Sequence, residues 1–179
     1  MAAWTVIDHT EAGTGGVAYW EESSIASSYD HLLVRASVRS ELSGYIVGGI
    51  AVNLNGDTGS NYTYVSLESQ VVDTPTSGGG GSSQVYSSSG AIGGTSILAE
   101  TFTAYEMWLP NYANSSYSKQ MIVTNSIVNN SSTDAQWYTY LGASLYHPTA
   151  AIHTVKLSVN TGGDFAEFST FTLYGVTGA

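Results

Sequence analysis

The residues best suited to acid–base or metal chemistry are the histidines, and in this chain they stand apart from one another. They are His9, His31, His147 and His153. No two of them have the His-x-His or His-x-x-x-His spacing that presents two ring nitrogens to one metal ion. The chain also has no Gly-x-Ser-x-Gly motif, which would expose a nucleophilic serine on a sharp turn. The sequence therefore predicts no catalytic residue, no metal site and no cofactor.

Two pairs of carboxylates could serve in glycoside hydrolysis if a concave site held both members of a pair. One is Glu21–Glu22, which we interpret as part of an exposed turn. The other is Asp164 with Glu167, which we expect to flank a hairpin. Neither position predicts a cleft, so these carboxylates do not change the expectation that the protein is not an enzyme.

The segment 53–62 has side-chain oxygens at nearly alternate positions, which faintly resembles a calcium-binding loop. The oxygens belong to Asn53, Asn55, Asp57 and Asn61. A calcium loop normally adds a second carboxylate and ends on a bidentate glutamate, and this segment has neither. Asn and Asp also favour turns by bonding to their own backbone, so a turn is the favoured interpretation.

Aromatic residues are abundant, with 13 tyrosines and four tryptophans. The tryptophans are Trp4, Trp20, Trp108 and Trp137. Flat rings could form a platform for sugars, but Trp and Tyr are also favoured in cores and at protein interfaces. Packing is the favoured interpretation, and Trp4 and Trp108 are candidate subunit-contact residues.

Composition and charge exclude several classes of function. The 179 residues carry 4 Lys and Arg against 14 Asp and Glu, a formal net charge of −10. A nucleic-acid binder needs a basic patch that displaces counterions, and an anionic membrane attracts basic segments. We therefore expect neither nucleic acid nor membrane as a partner. There are no cysteines, which excludes disulfides and thiolate chemistry.

The clearest strand is His31–Ser40, where apolar residues alternate with others. Leu32, Val34 and Val38 would share the buried face, so Arg35 and Arg39 would point outward together. One interpretation is a solvated face with local carboxylate partners. The other is a subunit contact, because Arg is enriched at interfaces, and it makes Arg35 and Arg39 candidate contact residues.

Further strands and turns follow at the spacing of a β-sandwich. Asn55-Gly56 predicts a hairpin that joins strands 45–54 and 62–67, and the turn 160–164 predicts a second hairpin that closes the chain. Residues 96–109 form a strand in which neither face is clearly polar, which predicts a central or interface strand. The expected fold is all-β, an antiparallel sandwich of about eight strands in one domain (1–179). An N-terminal arm (about 1–16) and a long Gly/Ser-rich loop (about 73–95) would lie outside the sandwich.

Three stretches resemble a group of small tailed-bacteriophage virion proteins that carry a jelly-roll domain. The most specific is the ending, Ala151–Leu157, then Gly162–Phe165, then Phe171–Val176 with its Phe-Thr-Leu-Tyr-Gly-Val sequence. Tyr29–Ser40 is similar to the group's first long strand, and Asn53–Tyr62 is similar to its Asn-Gly-Asp-Thr-Gly-x-Asn-Tyr turn. The order and spacing of the three stretches carry the resemblance, which touches about half of the chain.

The resemblance implies a jelly-roll fold and a structural role in the virion. The expected protein would be made in the host cytoplasm and would decorate and stabilise the capsid surface as a homo-oligomer, with a trimer favoured. Its partner would be the major capsid protein. The alternative is a tail-fibre or receptor-binding module, lectin-like, that recognises a host glycan. We expect decoration, because a fibre tip normally carries a shaft or anchoring segment and this sequence starts at Met1 without one.

Overall fold

The structure is a computed structural model, and it describes residues 3–44, 46–70, 76–129 and 137–178. Within these ranges the chain forms twelve β-strands and no helix. The strands are β1 (Ala3–Glu11), β2 (Tyr19–Ser23), β3 (His31–Val38), β4 (Ile46–Leu54), β5 (Tyr62–Gln70), β6 (Thr76–Gln84), β7 (Ser87–Gly93), β8 (Thr103–Pro110), β9 (Lys119–Ile127), β10 (Tyr138–Tyr146), β11 (Thr154–Val159) and β12 (Thr170–Thr177).

The strands form two antiparallel sheets in the pairing order of a jelly roll. The four-stranded sheet has the order β2-β11-β4-β7, and the eight-stranded sheet has the order β1-β12-β3-β8-β9-β10-β5-β6. A jelly roll has eight strands, B to I, paired as B-I-D-G and C-H-E-F. In the smaller sheet, β2, β11, β4 and β7 take the places of B, I, D and G. In the larger sheet, β3, β5 and β6 take the places of C, E and F, and the meander β8-β9-β10 takes the place of H. Strands β12 and β1 extend the larger sheet beyond C. The predicted jelly-roll-like sandwich is confirmed, with twelve strands rather than about eight.

The core lies between the two sheets and is built by the period-2 alternation of the strands. In β8, β9 and β10 every second residue is buried. Leu32, Val34 and Val38 of β3 are all 0% exposed, as their alternation predicts. Trp20 of the four-stranded sheet stacks on Phe171 of the eight-stranded sheet, with ring centroids 5.7 Å apart. Both sheets therefore contribute to one hydrophobic cluster.

Both predicted hairpins are wrong, because each turn carries the chain from one sheet to the other. Asn55 and Gly56 have φ values of 54° and 66°, the left-handed backbone of the tight turn that their sequence favours. However, β4 pairs with β11 and β7, whereas β5 pairs with β10 and β6. In the same way β11 pairs with β2 and β4, whereas β12 pairs with β1 and β3.

The prediction that two segments lie outside the sandwich is also wrong for their described residues. Of the predicted arm (1–16), residues 3–11 form β1, which pairs along its length with β12. Of the predicted loop (73–95), residues 76–84 form the edge strand β6 and residues 87–93 form β7; residues 1–2 and 73–75 lie outside the described ranges. The predicted strand 96–109 begins only at Thr103, and β8 is indeed central, between β3 and β9.

The small residues of β7 have a structural reason, since long polar side chains of the eight-stranded sheet reach them across the core. The Tyr105 hydroxyl donates to Ser89 Oγ at 3.2 Å, and the Tyr140 hydroxyl donates to the Ser88 carbonyl at 3.0 Å. The Asn125 amide lies against Gly90 and donates to the Ala91 carbonyl. Larger residues on β7 would occupy the space that these side chains need.

Burial of the tyrosine hydroxyls makes their ionised form unfavourable. Burial raises the pKa of Tyr62 to about 12, and hydrogen bonding with Leu54 only partly opposes this shift. Burial and the nearby Glu68 carboxylate raise the pKa of Tyr140 to about 12. Tyr105 and Tyr146 also have a raised pKa, with burial as the main cause. In the folded protein these tyrosines are therefore neutral, hydrogen-bonded core residues.

We expect Gly90→Ala to lower the free energy of unfolding by several kcal/mol. A Cβ at position 90 would lie 2.6 Å from Asn125 Cγ, and the φ of Gly90 is +81°. Gly162→Ala is the matched control, because the φ of Gly162 is +82° but a Cβ there meets nothing within 4 Å. The control should lose only the backbone contribution, about 1 kcal/mol. Urea denaturation of both variants measures the difference, and equal losses would contradict the role assigned to β7.

We also expect stability to fall in alkali before the buried tyrosines ionise in the native state. An acid whose folded pKa is raised stabilises the fold below its unfolded pKa, about 10 for Tyr, and this stability is lost as the pH rises through its folded pKa. For Tyr62 and Tyr140 the window is about 10 to about 12. Urea denaturation at increasing pH, with tyrosinate absorbance as a second signal, should show a shallower decline for Tyr140→Phe. Tyrosinate absorbance that develops fully near pH 10 without unfolding would contradict this.

Candidate functional site

The outer face of the eight-stranded sheet, the face turned away from the four-stranded sheet, carries a band of apolar side chains. We call it the apolar band; its members occupy paired positions on neighbouring strands, from β1 to β5. They are Val6, Tyr174, Leu33, Trp108, Ile122, Ala143 and Val65. Val6 is 55% exposed, Ile122 53% and Val65 59%. Trp4, Leu67 and Leu141 lie beside the band on the same face and are also about half exposed.

The outer face of the four-stranded sheet is mostly polar, in contrast to the face that carries the apolar band. Its paired positions are Tyr19, Glu21, Ser23, Thr154, Lys156, Ser158, Asn53 and Ala51. The Lys156 ammonium lies 3.9 Å from the centroid of the Tyr19 ring, a cation–π contact that covers part of this ring. Glu21 and Glu22 lie on β2 here and not on the predicted turn.

Three of the four candidate contact residues meet on the outer face of the eight-stranded sheet. The Arg35 guanidinium lies 5.5 Å from the centroid of the Trp4 ring, and its Nε donates to Glu106 Oε2 at 2.8 Å. The Arg35 and Glu106 side chains are 54% and 45% exposed, so the pair adds little to the stability of the fold. Trp108 packs against the His31 ring, with centroids 5.0 Å apart, in the same part of the face.

The fourth candidate, Arg39, is not part of this face. It follows the end of β3 at Val38, and its guanidinium donates to the carbonyls of Thr95 and Ile97 at 3.3 and 3.4 Å. The sequence predicted that Arg35 and Arg39 point outward together, but the structure separates them. Arg39 holds the β7–β8 connection against the end of β3.

A shallow groove of about 640 Å³ runs across the strands beside the apolar band. Its floor is made of small and hydroxyl-bearing side chains at paired positions of the outer face. They are Thr170, Ser37, Ala104, Ser126 and Thr139. The ion pair of Arg35 and Glu106 lies between this floor and the band. The outer face of the eight-stranded sheet therefore combines a hydroxyl-lined groove with the apolar band.

The sequence did not predict the band residues Ile122 and Val65, or Leu67 beside the band. A signal existed, because β5, β9 and β10 have apolar residues at both odd and even positions. Such strands predict two buried faces, as residues 96–109 did. The additional information needed was the register, which places these residues side by side.

The segment that resembled a calcium loop uses its side-chain oxygens to hold the turn together. Asp57 Oδ1 accepts from the Gly59 amide at 2.7 Å, and Oδ2 accepts from Asn61 Nδ2 at 2.8 Å and from the Tyr146 hydroxyl at 3.0 Å. Burial alone would raise the pKa of Asp57, but these hydrogen bonds outweigh burial and lower it. In the described ranges no group of three or more His, Cys, Asp or Glu is placed to hold a metal ion.

Each histidine ring makes a hydrogen bond, three of them with a threonine hydroxyl and one with a backbone amide. His9 Nδ1 and His147 Nε2 bond to the hydroxyls of Thr172 and Thr63, both at 2.9 Å. His31 Nδ1 accepts from the Asn111 amide at 3.1 Å.

No helix in the described part of the chain is long and apolar enough to cross a membrane. Comparison with protein-family models, with curated proteins and with solved structures gave no match.

Proposed function

We propose that this protein is a non-enzymatic structural protein of a tailed-phage particle, which decorates and stabilises the capsid surface through oligomeric contacts, and that the outer face of its eight-stranded sheet is a protein-contact surface of that assembly. The apolar band on that face is the observation that carries the proposal. The resemblance of the sequence to jelly-roll virion proteins supplies the kind of particle and the capsid as the place. The proposed location is the capsid surface, and the major capsid protein is the proposed partner.

A face built in this way is suited to protein contact. Exposed apolar patches of several hundred Å² on a soluble domain mark interaction sites. Protein interfaces have a core depleted of charge, where tryptophan, tyrosine and arginine are enriched. The outer face has Trp4, Trp108 and Arg35 among residues that carry little charge. The residues on the floor of its groove are small enough to let another surface approach. A decoration protein that acts as an oligomer needs such a contact surface, and many copies on the shell stabilise the particle by mass action.

The alternative is a receptor-binding module of the virion that recognises a host glycan. The hydroxyl-lined groove favours this alternative, since Ser and Thr hydroxyls with Arg35 and Glu106 offer the donors and acceptors that a sugar requires. Against it, the tryptophan rings of the face make contacts of their own. Trp4 packs edge-on to Tyr174, with ring centroids 5.9 Å apart, and the Arg35 guanidinium lies over the Trp4 ring, so this ring is not a free stacking platform. Protein contact accounts for the band as well as for the groove and is preferred.

Immunogold electron microscopy of the source particle, with antibody against the purified protein, tests the proposal. We expect label spread over the capsid shell, and we expect particles that lack the protein to release their contents at a lower temperature. Re-addition of the purified protein should restore the heat resistance. Label confined to a tail, fibre or vertex would overturn decoration in favour of glycan binding. Particles without any label would overturn both.

A further inference from the structure

We infer that the apolar band is a self-association surface, covered in solution by the same face of a second copy of this chain. The inference deepens the proposed function, on which it rests for its biological setting, by naming the occupant of the face. It is drawn from three features of the described residues: the size of the face, its charge and the polar character of the opposite face.

The face is large enough for a stable contact between two copies. Eight strands spaced about 4.8 Å apart are roughly 34 Å across, and four rows of side chains, each about 6.8 Å from the next, add roughly 20 Å along the strands. The face therefore offers on the order of 700 Å², close to the roughly 800 Å² per partner of a standard protein interface. The band crosses the middle of this area from β1 to β5.

The distribution of charge favours a second copy at this face over the outer face of the four-stranded sheet, which carries Glu21. Two chains of net charge −10 repel each other wherever their acidic residues meet. On the outer face of the eight-stranded sheet, Arg35 and Glu106 neutralise each other, and Glu11 at the β1 edge is the remaining carboxylate among the described positions. Two copies can therefore approach through this face with little repulsion and can bury apolar area as they do so.

The cations of the described chain give no comparable surface for pairing with the acids of another copy. Arg39 is bonded to backbone carbonyls, and Lys156 lies over Tyr19. Lys119 is 1% exposed, and its ammonium donates to the carbonyls of Tyr117 and Thr149. Self-association driven by ion pairs is therefore disfavoured, and burial of the apolar band is the available driving force.

The test is sedimentation equilibrium of the purified full chain over a range of concentrations. We expect wild-type protein to be at least dimeric and its association to tighten as salt is added, because salt screens the repulsion between the acidic chains. The double variant Val65→Thr with Ile122→Thr keeps β-branched residues at exposed positions. It should weaken association by at least about tenfold, because it removes apolar area from the interface.

Val85→Thr is the matched control, since it is the same chemical change at a valine that is 46% exposed but lies between β6 and β7, away from the face. It should associate like the wild type. Wild-type protein that stays monomeric would overturn the inference, and so would equal association of the double variant and the wild type. Because Trp4 and Trp108 lie on the face, wild-type tryptophan emission should also shift to shorter wavelength with concentration; an unchanged spectrum would contradict the inference without any variant.

The outcome also separates this inference from the proposed function. Protein that is monomeric in solution but labels the capsid shell would overturn self-association and leave decoration standing. Protein that associates through the band but labels no particle would overturn decoration and leave self-association standing.

Discussion

The fold depends on hydroxyl-bearing aromatic side chains that cross the core and find polar partners. A buried tyrosine that leaves its hydroxyl without a partner loses the hydrogen bond that water provided, at about 1–3 kcal/mol. Tyr105 and Tyr140 meet this requirement on β7, and Tyr62 meets it at the backbone of Leu54. The requirement explains why β7 is made of serine, glycine and alanine. It also places the smallest residues of the chain inside the molecule, where the two sheets approach each other.

This arrangement has a consequence for the surface. Only four strands lie against the inner side of a sheet of eight, and no further sheet of the described residues lies against the outer side. That outer side holds the apolar band, the hydroxyl-lined groove and the ion pair of Arg35 with Glu106. The outer side of the smaller sheet is mostly polar and has Lys156 packed on Tyr19. The two outer faces of the sandwich therefore differ in character: one is mostly polar, and the other carries the apolar band.

Alternation along single strands was predictable from the sequence, and relations between strands were not. The buried face of β3 and the central position of β8 follow from the pattern of apolar residues. The Asn55-Gly56 turn was also predictable, but local turn chemistry does not specify the sheet to which the next strand belongs. In a jelly roll many turns cross between sheets, so both predicted hairpins were wrong. The Gly/Ser-rich segment was predicted as a loop because composition alone does not show that Tyr105 and Tyr140 need small residues opposite them.

The candidate site was predictable only in part, for the same reason. Trp4 and Trp108 were candidate contact residues from their type, and Arg35 also from the alternation along its strand; the structure brings the three to one face. Val65 and Ile122 were missed because they lie on different strands, and only the register of β5, β10 and β9 places them in one band. Arg39 was grouped with Arg35 because strict alternation was extended one residue past the end of β3.

The central claim is that the outer face of the eight-stranded sheet is covered when the protein is assembled. Since the chain has no cysteine, a single introduced thiol reports on one position. Ile122→Cys places it in the apolar band, and Ser158→Cys places it on the opposite outer face. We would compare rates of maleimide labelling for each variant in the assembled and in the diluted protein. The account predicts that assembly slows labelling at position 122 and leaves position 158 unchanged. Equal labelling of position 122 in both states would contradict it.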